Sequence, residues 1–210
     1  MKHIYSAEPK DKRLYTDMFD QFYSRFARPY DWFVKLFPLW RNWLDHAIPY
    51  LQGPRVLEVS FGTGYLLTQY AGHFSTFGID YNKDLVAIAR ENLRQHGVRA
   101  NLQVADVEAL PYADASFDTL VNTMSFTGYP DAEQALSEMH RVLKPGGRLV
   151  MIDVNYPANG AWLGTWVTQA WQYGGDIIRD MGRLFNAFGF QYTDTEIGGF
   201  GSVHLYVATR

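Results

Sequence analysis

Short apolar runs alternate with helical segments through the middle of the chain, from residue 55 to residue 154. The first run, RVLEVS, precedes a helical segment, and the same succession recurs along this region. Strands that alternate with helices of this length predict a mostly parallel sheet with helices on both faces. Two later runs, 190–197 and 202–210, have no helix between them and predict an antiparallel pair. The predicted fold class is therefore α/β, with a doubly wound sheet of seven strands.

Two helices are predicted ahead of the sheet. Aromatic side chains spaced three and four residues apart mark one face of a helix over residues 14–28. A second helix is predicted within residues 39–51, just before the breaker Gly53-Pro54. The sequence therefore adds N-terminal helices to the α/β core.

Composition narrows the classes of function. The 210 residues include no cysteine, which excludes disulfides, thiolate metal sites and thiol nucleophiles. The net charge is −3 and no run of Lys or Arg occurs, so no nucleic-acid partner is expected. No histidine pair has metal-ligand spacing beside an acid, so no metal is predicted. These features favour a small-molecule substrate.

The start of the chain and the charge-free stretch 154–175 indicate where in the cell the protein is expected. The polar start of the chain does not have the pattern of a secretory signal. Asn, Gln, Gly and Pro residues interrupt the stretch 154–175, which excludes it as a membrane span of ~20 apolar residues. We expect a cytoplasmic protein without a transmembrane segment, and peripheral contact with a membrane remains open.

The first predicted strand ends in a glycine-rich turn, EVSFGTG. Gly62 and Gly64 let a ligand approach the backbone and permit a positive φ. Tyr65 stands where a phosphate loop has Lys, and Leu67 replaces the third glycine of a dinucleotide fingerprint. Glu58 would repel a pyrophosphate and attract an ammonium or sulfonium. The turn therefore predicts a ligand with a cationic end.

Acidic residues end the next two predicted strands. Asp80 is placed to accept hydrogen bonds from both hydroxyls of a ribose. Asp106 can accept from an adenine amino group, with Tyr81 and Val107 as apolar faces for the ring. Sites for NAD and for S-adenosylmethionine share the ribose-binding acid, so both cofactors remain open on these residues alone.

Four segments occur in a familiar order: VLEVSFGTG, FGIDYN, VADVEALPYADASFDTLV and MHRVLKPGGRLVMIDV. In this order they resemble the class I S-adenosylmethionine-dependent methyltransferases, in the group that contains the quinone C-methyltransferases and bacterial phospholipid N-methyltransferases. The resemblance covers nearly half the chain, and FYSRFARPYDWF is similar to the lead-in helix of the quinone branch. It implies a Rossmann-like methyltransferase fold with the last strand antiparallel, and S-adenosyl-L-methionine as cofactor.

The resemblance also implies roles for individual residues. The turn would surround the methionine end of the cofactor, together with Asn122 at the end of the fourth strand. Ser60 stands where the family usually has its first glycine, so the bend is expected to have lost some freedom while binding survives. The implied cofactor-binding residues are Glu58, Ser60, Gly62, Gly64, Asp80, Tyr81, Asp106, Val107 and Asn122.

The methyl acceptor and a general base are not identified by the sequence. The aromatic N-terminal helices and the Trp-rich segment after the fifth strand favour an apolar or aromatic acceptor, although burial of Trp162 and Trp166 in the core is the alternative. The candidates for the substrate pocket are Tyr23, Tyr30, Tyr156, Trp162, Trp166 and His204.

Three functions stay under comparison at this point. Methyl transfer is the expected one, and the alternatives are a binding protein for S-adenosylmethionine without catalysis and an NAD-dependent oxidoreductase. Residues 1–210 are expected to form a single domain: a helical cap (1–53) that contributes to the substrate pocket, a cofactor-binding core (54–154), and a lid segment with the final strand pair (155–210). The oligomeric state is not assigned.

Overall fold

A seven-stranded sheet forms the centre of the computed structural model, which describes residues 5–210. The order across the sheet is β3-β2-β1-β4-β5-β7-β6, and β7 runs antiparallel to both of its neighbours. The predicted sheet and its late antiparallel pair are therefore confirmed. The strands are β1 (Arg55–Val59), β2 (Ser75–Asp80), β3 (Asn101–Val104), β4 (Phe117–Thr123), β5 (Leu143–Val154), β6 (Gln191–Gly198) and β7 (Val203–Thr209).

Helices cover both faces of this sheet because its strands alternate their side chains between two cores. Leu57 of β1 belongs to a core with Leu136 and Phe185, whereas the preceding Val56 belongs to a core with Leu66. The helices are α1 (Lys12–Leu36), α2 (Pro38–Asp45), α3 (Tyr65–Tyr70), α4 (Lys83–Gln95), α5 (Ala132–Val142), α6 (Trp162–Tyr173) and α7 (Met181–Ala187).

Side-chain caps fix the start of two central helices. The side chain of Asn82 accepts hydrogen bonds from the first turn of α4, and Asp131 accepts one from the backbone of Gln134 in α5. Asn and Asp are both favoured at this position, because their short side chains reach the free N–H groups of the first turn. The caps also place each helix start directly after a strand end or its loop, at the edge of the sheet where ligands bind.

Three boundaries differ from the sequence prediction. Helix α1 extends to Leu36, well past residue 28, and carries Pro29 within it. The short helix α7 carries no clear pattern in its seven residues. The segment LKPGG has the proline and glycines typical of a turn but forms the start of β5, because Gly146 and Gly147 exchange backbone hydrogen bonds with Arg210. That partner is remote in sequence, so a local pattern could not reveal it.

The sheet changes direction of winding between β1 and β4, which lie side by side although helices α3 and α4 and strands β2 and β3 separate them in sequence. A crevice opens at the carboxyl ends of strands at such a switch point. Helix α1 crosses this edge and contributes several side chains to the crevice. Within residues 5–210, no helix combines the length and the apolar character that crossing a bilayer requires.

Candidate cofactor and acceptor site

A cavity of about 180 Å³ lies at the carboxyl ends of the first four strands, and α1 forms one of its walls. The lining includes six carboxyl side chains and a group of aromatic rings, and it contains no Lys, Arg or His from the described part of the chain. The carboxyl groups belong to Asp20, Glu58, Asp80, Asp106, Glu108 and Asp176. The cavity is therefore suited to a ligand that carries positive charge or hydrogen-bond donors.

The turn after β1 bends through three residues with positive φ. Gly62 and Gly64 have φ of 58° and 76°, and Ser60 has φ of 53°. A non-glycine residue in this region carries a strain of about 1 kcal/mol or more. The loss of freedom expected for Ser60 is thus present in its backbone. The residue is held there by its N–H, which donates to the carbonyl of Ile79 at 2.7 Å.

Gly64 is required by packing as well as by its φ. A Cβ atom at this position would lie 2.9 Å from the Cβ of Ala89 on α4. The glycine therefore lets α3 begin tight against α4, directly after the turn. The position of the turn relative to β2 depends on this approach.

Glu58 is buried in the wall of the cavity with only 1% of its surface exposed. The hydroxyl of Tyr70 donates to its carboxylate at 2.8 Å, and no Lys or Arg among residues 5–210 forms an ion pair with it. Burial raises the pKa of Glu58 to about 8, because the charged form is deprived of water. A ligand cation at this point would stabilise the charged form of Glu58. The residue therefore fits the ammonium end of a methionine moiety.

Asp80 ties the turn to the second strand. Its carboxylate accepts from the backbone N–H of Gly62 at 2.8 Å and from that of Asn82 at 2.9 Å. Burial raises the pKa of Asp80 to about 7, and these two N–H groups oppose that rise. Each oxygen keeps a further lone pair that can face the cavity, which is what binding of two ribose hydroxyls needs.

The adenine end of the predicted site also lies in this cavity. Asp106 follows β3 and accepts from the backbone N–H of Glu108 at 2.9 Å, and both line the cavity. Val107 is buried and Tyr81 is partly exposed at the same end. The structure thus brings the four strand-end segments together in the order that the sheet imposes.

Asn122 lies behind the cavity and is absent from its lining. It is fully buried, and its amide donates to the hydroxyl oxygens of Tyr129 and Ser125 at 2.7 and 2.8 Å. Those two residues line the cavity in its place. Asn122 thus positions two groups of the cavity wall, and its own contact with the cofactor stays a prediction.

Tyr23 and Tyr30 lie in the cavity wall, on the inner face of α1. Their rings meet edge to face with centroids 5.6 Å apart. Burial raises the pKa of Tyr23 to about 12 and that of Tyr30 further still. Both hydroxyls therefore keep their protons at neutral pH, and contact with a substrate stays a prediction for them.

The other four candidates for the substrate pocket lie outside this cavity. On α6, Gly164 and Thr168 face inward, so Trp162 and Trp166 point to solvent with 76% and 63% of their surface exposed. His204 is buried on β7, where its ring contacts Asp194 and stacks on a neighbouring tyrosine. Trp162, Trp166, Tyr156 and His204 are thus absent from the lining of this cavity, and contact with a substrate stays a prediction for them.

Tyr156 is held in place by its packing and its hydrogen bond. It is buried in a small core beside Ile178, and its hydroxyl donates to the side chain of Gln172 at 2.8 Å. Its ring thus fixes α6 against the loop after β5. Because Tyr156 is absent from the cavity lining, its contact with a substrate stays a prediction.

Several lining residues carried no signal in the sequence. Tyr129 lies in a 3₁₀ turn after β4, and its hydroxyl is 2.7 Å from that of Ser60. Asp176 follows α6, more than a hundred residues from the glycine turn. The inner face of α1 adds Thr16, Phe19 and Asp20. Only the aromatic periodicity of α1 could have indicated part of this set.

Part of this chain matches a family of known proteins. Residues 57–151 match the model of a family described as a methyltransferase domain. The C-methyltransferase UbiE of ubiquinone and menaquinone biosynthesis from Geotalea uraniireducens is 36% identical over 56% of this chain and 53% of the relative. The corresponding protein of Geobacter sulfurreducens is 29% identical over 98% of this chain and 81% of the relative. The chain thus spans about half the length of the first of these relatives.

Solved structures share the fold. A methyltransferase from Thermotoga maritima, titled as S-adenosylmethionine-dependent and a possible histamine N-methyltransferase, has a TM-score of 0.70 at 20% identity over 90% of this chain and 98% of that one. The cyclase SpnF has a TM-score of 0.64 at 18% identity, over 100% and 87% of the two chains. At these identities the likeness concerns the fold alone.

The sheet order, the carboxylates at the strand ends and the match of residues 57–151 to a methyltransferase domain are those of the class I S-adenosylmethionine-dependent methyltransferases. Within that class, the chain is similar to the quinone C-methyltransferases. The cofactor of the class is S-adenosylmethionine, and the unpaired, buried Glu58 fits its cationic methionine end.

Proposed function

We propose that this protein transfers a methyl group from S-adenosylmethionine to a small aromatic or apolar acceptor. The observation that carries the proposal is the row of carboxylates along the strand ends, Glu58, Asp80 and Asp106, in a cavity without cationic side chains. S-adenosylmethionine supplies, when bound, a methyl group on a positively charged sulfur whose leaving group is a neutral thioether. The remaining task of the protein is to bind, align and exclude water.

The strand order supports an assignment of each acid to one end of the cofactor. Asp106 follows β3 and Asp80 ends β2, so these two would hold adenine and ribose. Glu58 lies in β1, next across the sheet, and would face the ammonium group. The acceptor then has the space beyond, above β4 and β5, as the far part of the same crevice.

The character of the walls supports an aromatic or apolar acceptor. Phe19, Tyr23 and Tyr30 line the cavity from α1, and no cationic group is available there to bind a phosphate or carboxylate. Relatives at 34–37% identity are named as quinone and demethylmenaquinone methyltransferases. A reduced quinone, which is aromatic and uncharged, fits these walls, and we propose it as the acceptor class.

The domain organisation expected from the sequence becomes part of this proposal. Helix α1, within the N-terminal cap 1–53, covers the crevice, and Asp176 enters it from the segment 155–210. These two segments would together close the site of a core formed by residues 54–154. Closure of that kind keeps water from the methyl group during transfer.

An apolar stripe on the outer face of α1 supports peripheral contact with an anionic lipid surface. This outer stripe consists of side chains about four residues apart, all exposed, and Arg25 and Arg28 border it. Aromatic side chains beside basic ones are the pattern of a helix that lies in a membrane interface. A helix bound in this way would place the mouth of the cavity at the lipid surface, where apolar acceptors reside. The outer stripe is Leu14, Met18, Phe22, Phe26 and Phe33.

A binding protein without catalysis is the competing function. The cyclase SpnF has this fold, and its title names a reaction other than methyl transfer. Calorimetry with S-adenosylhomocysteine and with NAD tests the cofactor: we expect binding of the first and none of the second. Incubation with labelled S-adenosylmethionine and 1,4-dihydroxynaphthalene, kept reduced, tests the reaction. Binding of NAD alone, or tight S-adenosylhomocysteine binding with no methyl transfer to any reduced quinone, would contradict the proposal.

A further inference from the structure

We propose that Asp176 is the general base of this methyltransferase: its carboxylate takes the proton that the acceptor loses. The inference rests on the proposed function and adds the residue that the sequence left unassigned. It is carried by the position of Asp176 in the cavity, by the absence of another suitable group beside the acceptor, and by the hydrogen bonds that hold the residue there.

Position follows from the strand order. The cofactor acids lie at β3, β2 and β1, so the acceptor belongs on the side of β4 and β5. Asp176 lines the cavity on this side, because Thr127 from the loop after β4 donates to it at 2.7 Å. The same Thr127 hydroxyl lies 2.9 Å from Asp153, at the end of β5. Asp176 is thus anchored beyond the methionine end of the cofactor.

The cavity offers few groups able to accept a proton. No His, Lys or Arg of residues 5–210 lines it. Burial raises the pKa of Tyr23 to about 12 and raises those of Tyr30 and Tyr129 further, so these hydroxyls stay protonated at neutral pH. A base for an acceptor hydroxyl or carbon acid must therefore be a carboxylate.

The other carboxylates of the cavity lie elsewhere or are engaged. Asp20 accepts from the side-chain amide of Asn82, above β2, and Glu108 accepts from the backbone N–H of Asp131, beyond β3. Both therefore belong to the nucleoside side. Asp176 is the carboxyl group that remains on the acceptor side, since Glu58, Asp80 and Asp106 are assigned to the cofactor.

Two hydrogen bonds to the backbone of the segment around Asp176 hold it from both sides. The hydroxyl of Tyr15 on α1 donates to the carbonyl of Gly175 at 2.8 Å. The N–H of Ile177 donates to the carbonyl of Thr127, also at 2.8 Å. The loop is thus tied to α1 and to the end of β4. This is the support that a catalytic group needs in order to keep its geometry.

Thr127 can donate its single hydroxyl proton to only one of the two carboxylates that it touches. Asp153 already accepts from the backbone N–H groups of Phe126, Thr127 and Val154, so it is satisfied without the hydroxyl. The Thr127 hydroxyl is therefore free to donate to Oδ1 of Asp176 and to orient its carboxylate.

The charged and titratable neighbours set the pH range in which Asp176 can act. Tyr15 and Tyr23 face it from α1, Asp153 faces it from β5, and Arg179 acts on Tyr15 and Asp153. Burial raises the pKa of Asp176 above the ordinary value of a carboxyl group, and the bond from Thr127 opposes the rise. A base is active when deprotonated, so the rate of transfer should rise as pH rises through this pKa.

The step balances with this assignment. The acceptor atom forms a bond to the methyl carbon, and the bond between that carbon and the sulfonium sulfur breaks with its electron pair left on sulfur. The proton lost by the acceptor, from a ring hydroxyl or from the methylated carbon, moves to Oδ2 of Asp176. The products are the methylated acceptor, the neutral thioether and a protonated Asp176 that releases its proton to solvent.

The first test compares D176N with the unaltered protein and with D17N, which removes an exposed acid of α1 that does not line the cavity. The acceptor is 1,4-dihydroxynaphthalene, and the kcat/KM is measured over a range of pH. We expect D176N to lower kcat by about 10²- to 10⁴-fold and to remove the acid limb of the pH profile. The dissociation constant of S-adenosylhomocysteine should stay within about twofold, and D17N should match the unaltered protein. An acid limb that persists in D176N would overturn the assignment.

The second test reads the proton acceptor without turnover. The probe is 1-naphthol, a phenol that becomes a strong acid when excited and emits at a longer wavelength once it has lost its proton. In the complex with S-adenosylhomocysteine we expect emission of the naphtholate from the unaltered protein and of neutral naphthol from D176N. The variant D176E, which keeps a carboxylate, should recover part of the naphtholate band. D176E also provides a test of the assignment if D176N does not fold.

The outcomes separate the two proposals. Loss of S-adenosylhomocysteine binding by the unaltered protein would overturn the proposed function. Binding of S-adenosylhomocysteine together with equal emission ratios in the unaltered protein and D176N, or with no binding of 1-naphthol, would overturn the role of Asp176 alone. A naphtholate band that depends on Asp176 supports the assignment whether or not 1,4-dihydroxynaphthalene is turned over.

Discussion

The hydroxyl oxygen of Ser60 lies 2.7 Å from the hydroxyl oxygen of Tyr129, across the mouth of the glycine turn. Ser60 thus links the end of β1 to the loop after β4, although its φ of 53° is one that glycine adopts more easily. At this position a serine strains the backbone, but it forms a hydrogen bond that a glycine could not form. The bond joins the two loops between which the methionine end of the cofactor would lie.

Replacement of Ser60 separates these two effects. S60A keeps the strained backbone and loses the hydroxyl, so we expect it to lower the free energy of unfolding by about 1 kcal/mol. S60G loses the same hydroxyl but relieves a strain of about 1 kcal/mol, so its stability should stay close to that of the unaltered protein. Denaturant unfolding of both variants provides the measurement. An S60G variant less stable than S60A would show that the backbone is not strained.

Glu58 should make cofactor binding depend on pH. Its folded pKa of about 8 lies above that of an ordinary Glu, so the carboxylate that attracts the ammonium is formed as pH rises toward 8. We expect affinity for S-adenosylhomocysteine to increase from pH 6 to pH 8. E58Q should weaken binding by about 10- to 100-fold, the loss of a charged hydrogen bond of about 1.5–3 kcal/mol. Calorimetry over this range measures both, and an E58Q protein with unchanged affinity would exclude the assigned role.

The same raised pKa predicts the pH dependence of stability without ligand. A carboxyl group whose pKa is higher in the folded state binds more protons when folded, so stability falls as pH rises from its unfolded pKa to its folded one. For Glu58 this window runs from the ordinary value to about 8, and for Asp80 to about 7. The slope is about 1.4 kcal/mol per pH unit for each group in its window. Unfolding curves at pH 5.5 and 7.5 should show E58Q gaining on the unaltered protein at the higher pH.

Gly64 should tolerate alanine poorly. The added Cβ would lie 2.9 Å from Ala89, and the φ of 76° is unfavourable for it. We expect G64A to cost about 2–4 kcal/mol, the sum of backbone strain and overpacking. The matched control is G97A, at a similar φ of 68° but with no atom within 4 Å of the new Cβ, which should cost only the strain. Equal unfolding free energies for the two variants would contradict the packing argument.

The outer stripe of α1 predicts binding to anionic vesicles. The double variant F22S/F33S removes two exposed aromatic side chains of the stripe and should reduce cosedimentation with vesicles that contain phosphatidylglycerol by at least about tenfold, given ~0.8 kcal/mol per buried CH₂. R25Q/R28Q should weaken the binding mainly at low salt. The control W162A/W166A removes exposed rings on α6 and should leave binding and cofactor affinity unchanged within about twofold. Equal losses in all three variants would argue against a defined lipid-binding face.

Much of the core could be predicted from local patterns. The apolar runs of the strands, the caps Asn82 and Asp131, and the glycines of the turn each depend on neighbours in sequence. The acids Glu58, Asp80 and Asp106 follow from strand ends, because the carboxyl ends of parallel strands meet at one edge. Physical chemistry of short segments was sufficient for these features.

The acceptor side could not be predicted in the same way. Trp162 and Trp166 have the spacing of a helical face, but that spacing does not state which face of α6 is buried, and Gly164 and Thr168 occupy the inner one. Asn122 ends a strand as predicted, yet Tyr129 fills the space between its amide and the cavity.

By itself, the sequence determined the α/β class and the acids at the strand ends, since these depend on residues that act locally. Only the tertiary structure decided that Asp176 lines the cavity and that His204 does not. The reason is that α1, the loop after β4 and the segment after α6 converge through contacts between residues far apart in the chain, such as Tyr15 with Gly175. Such contacts produce no periodic pattern in the sequence.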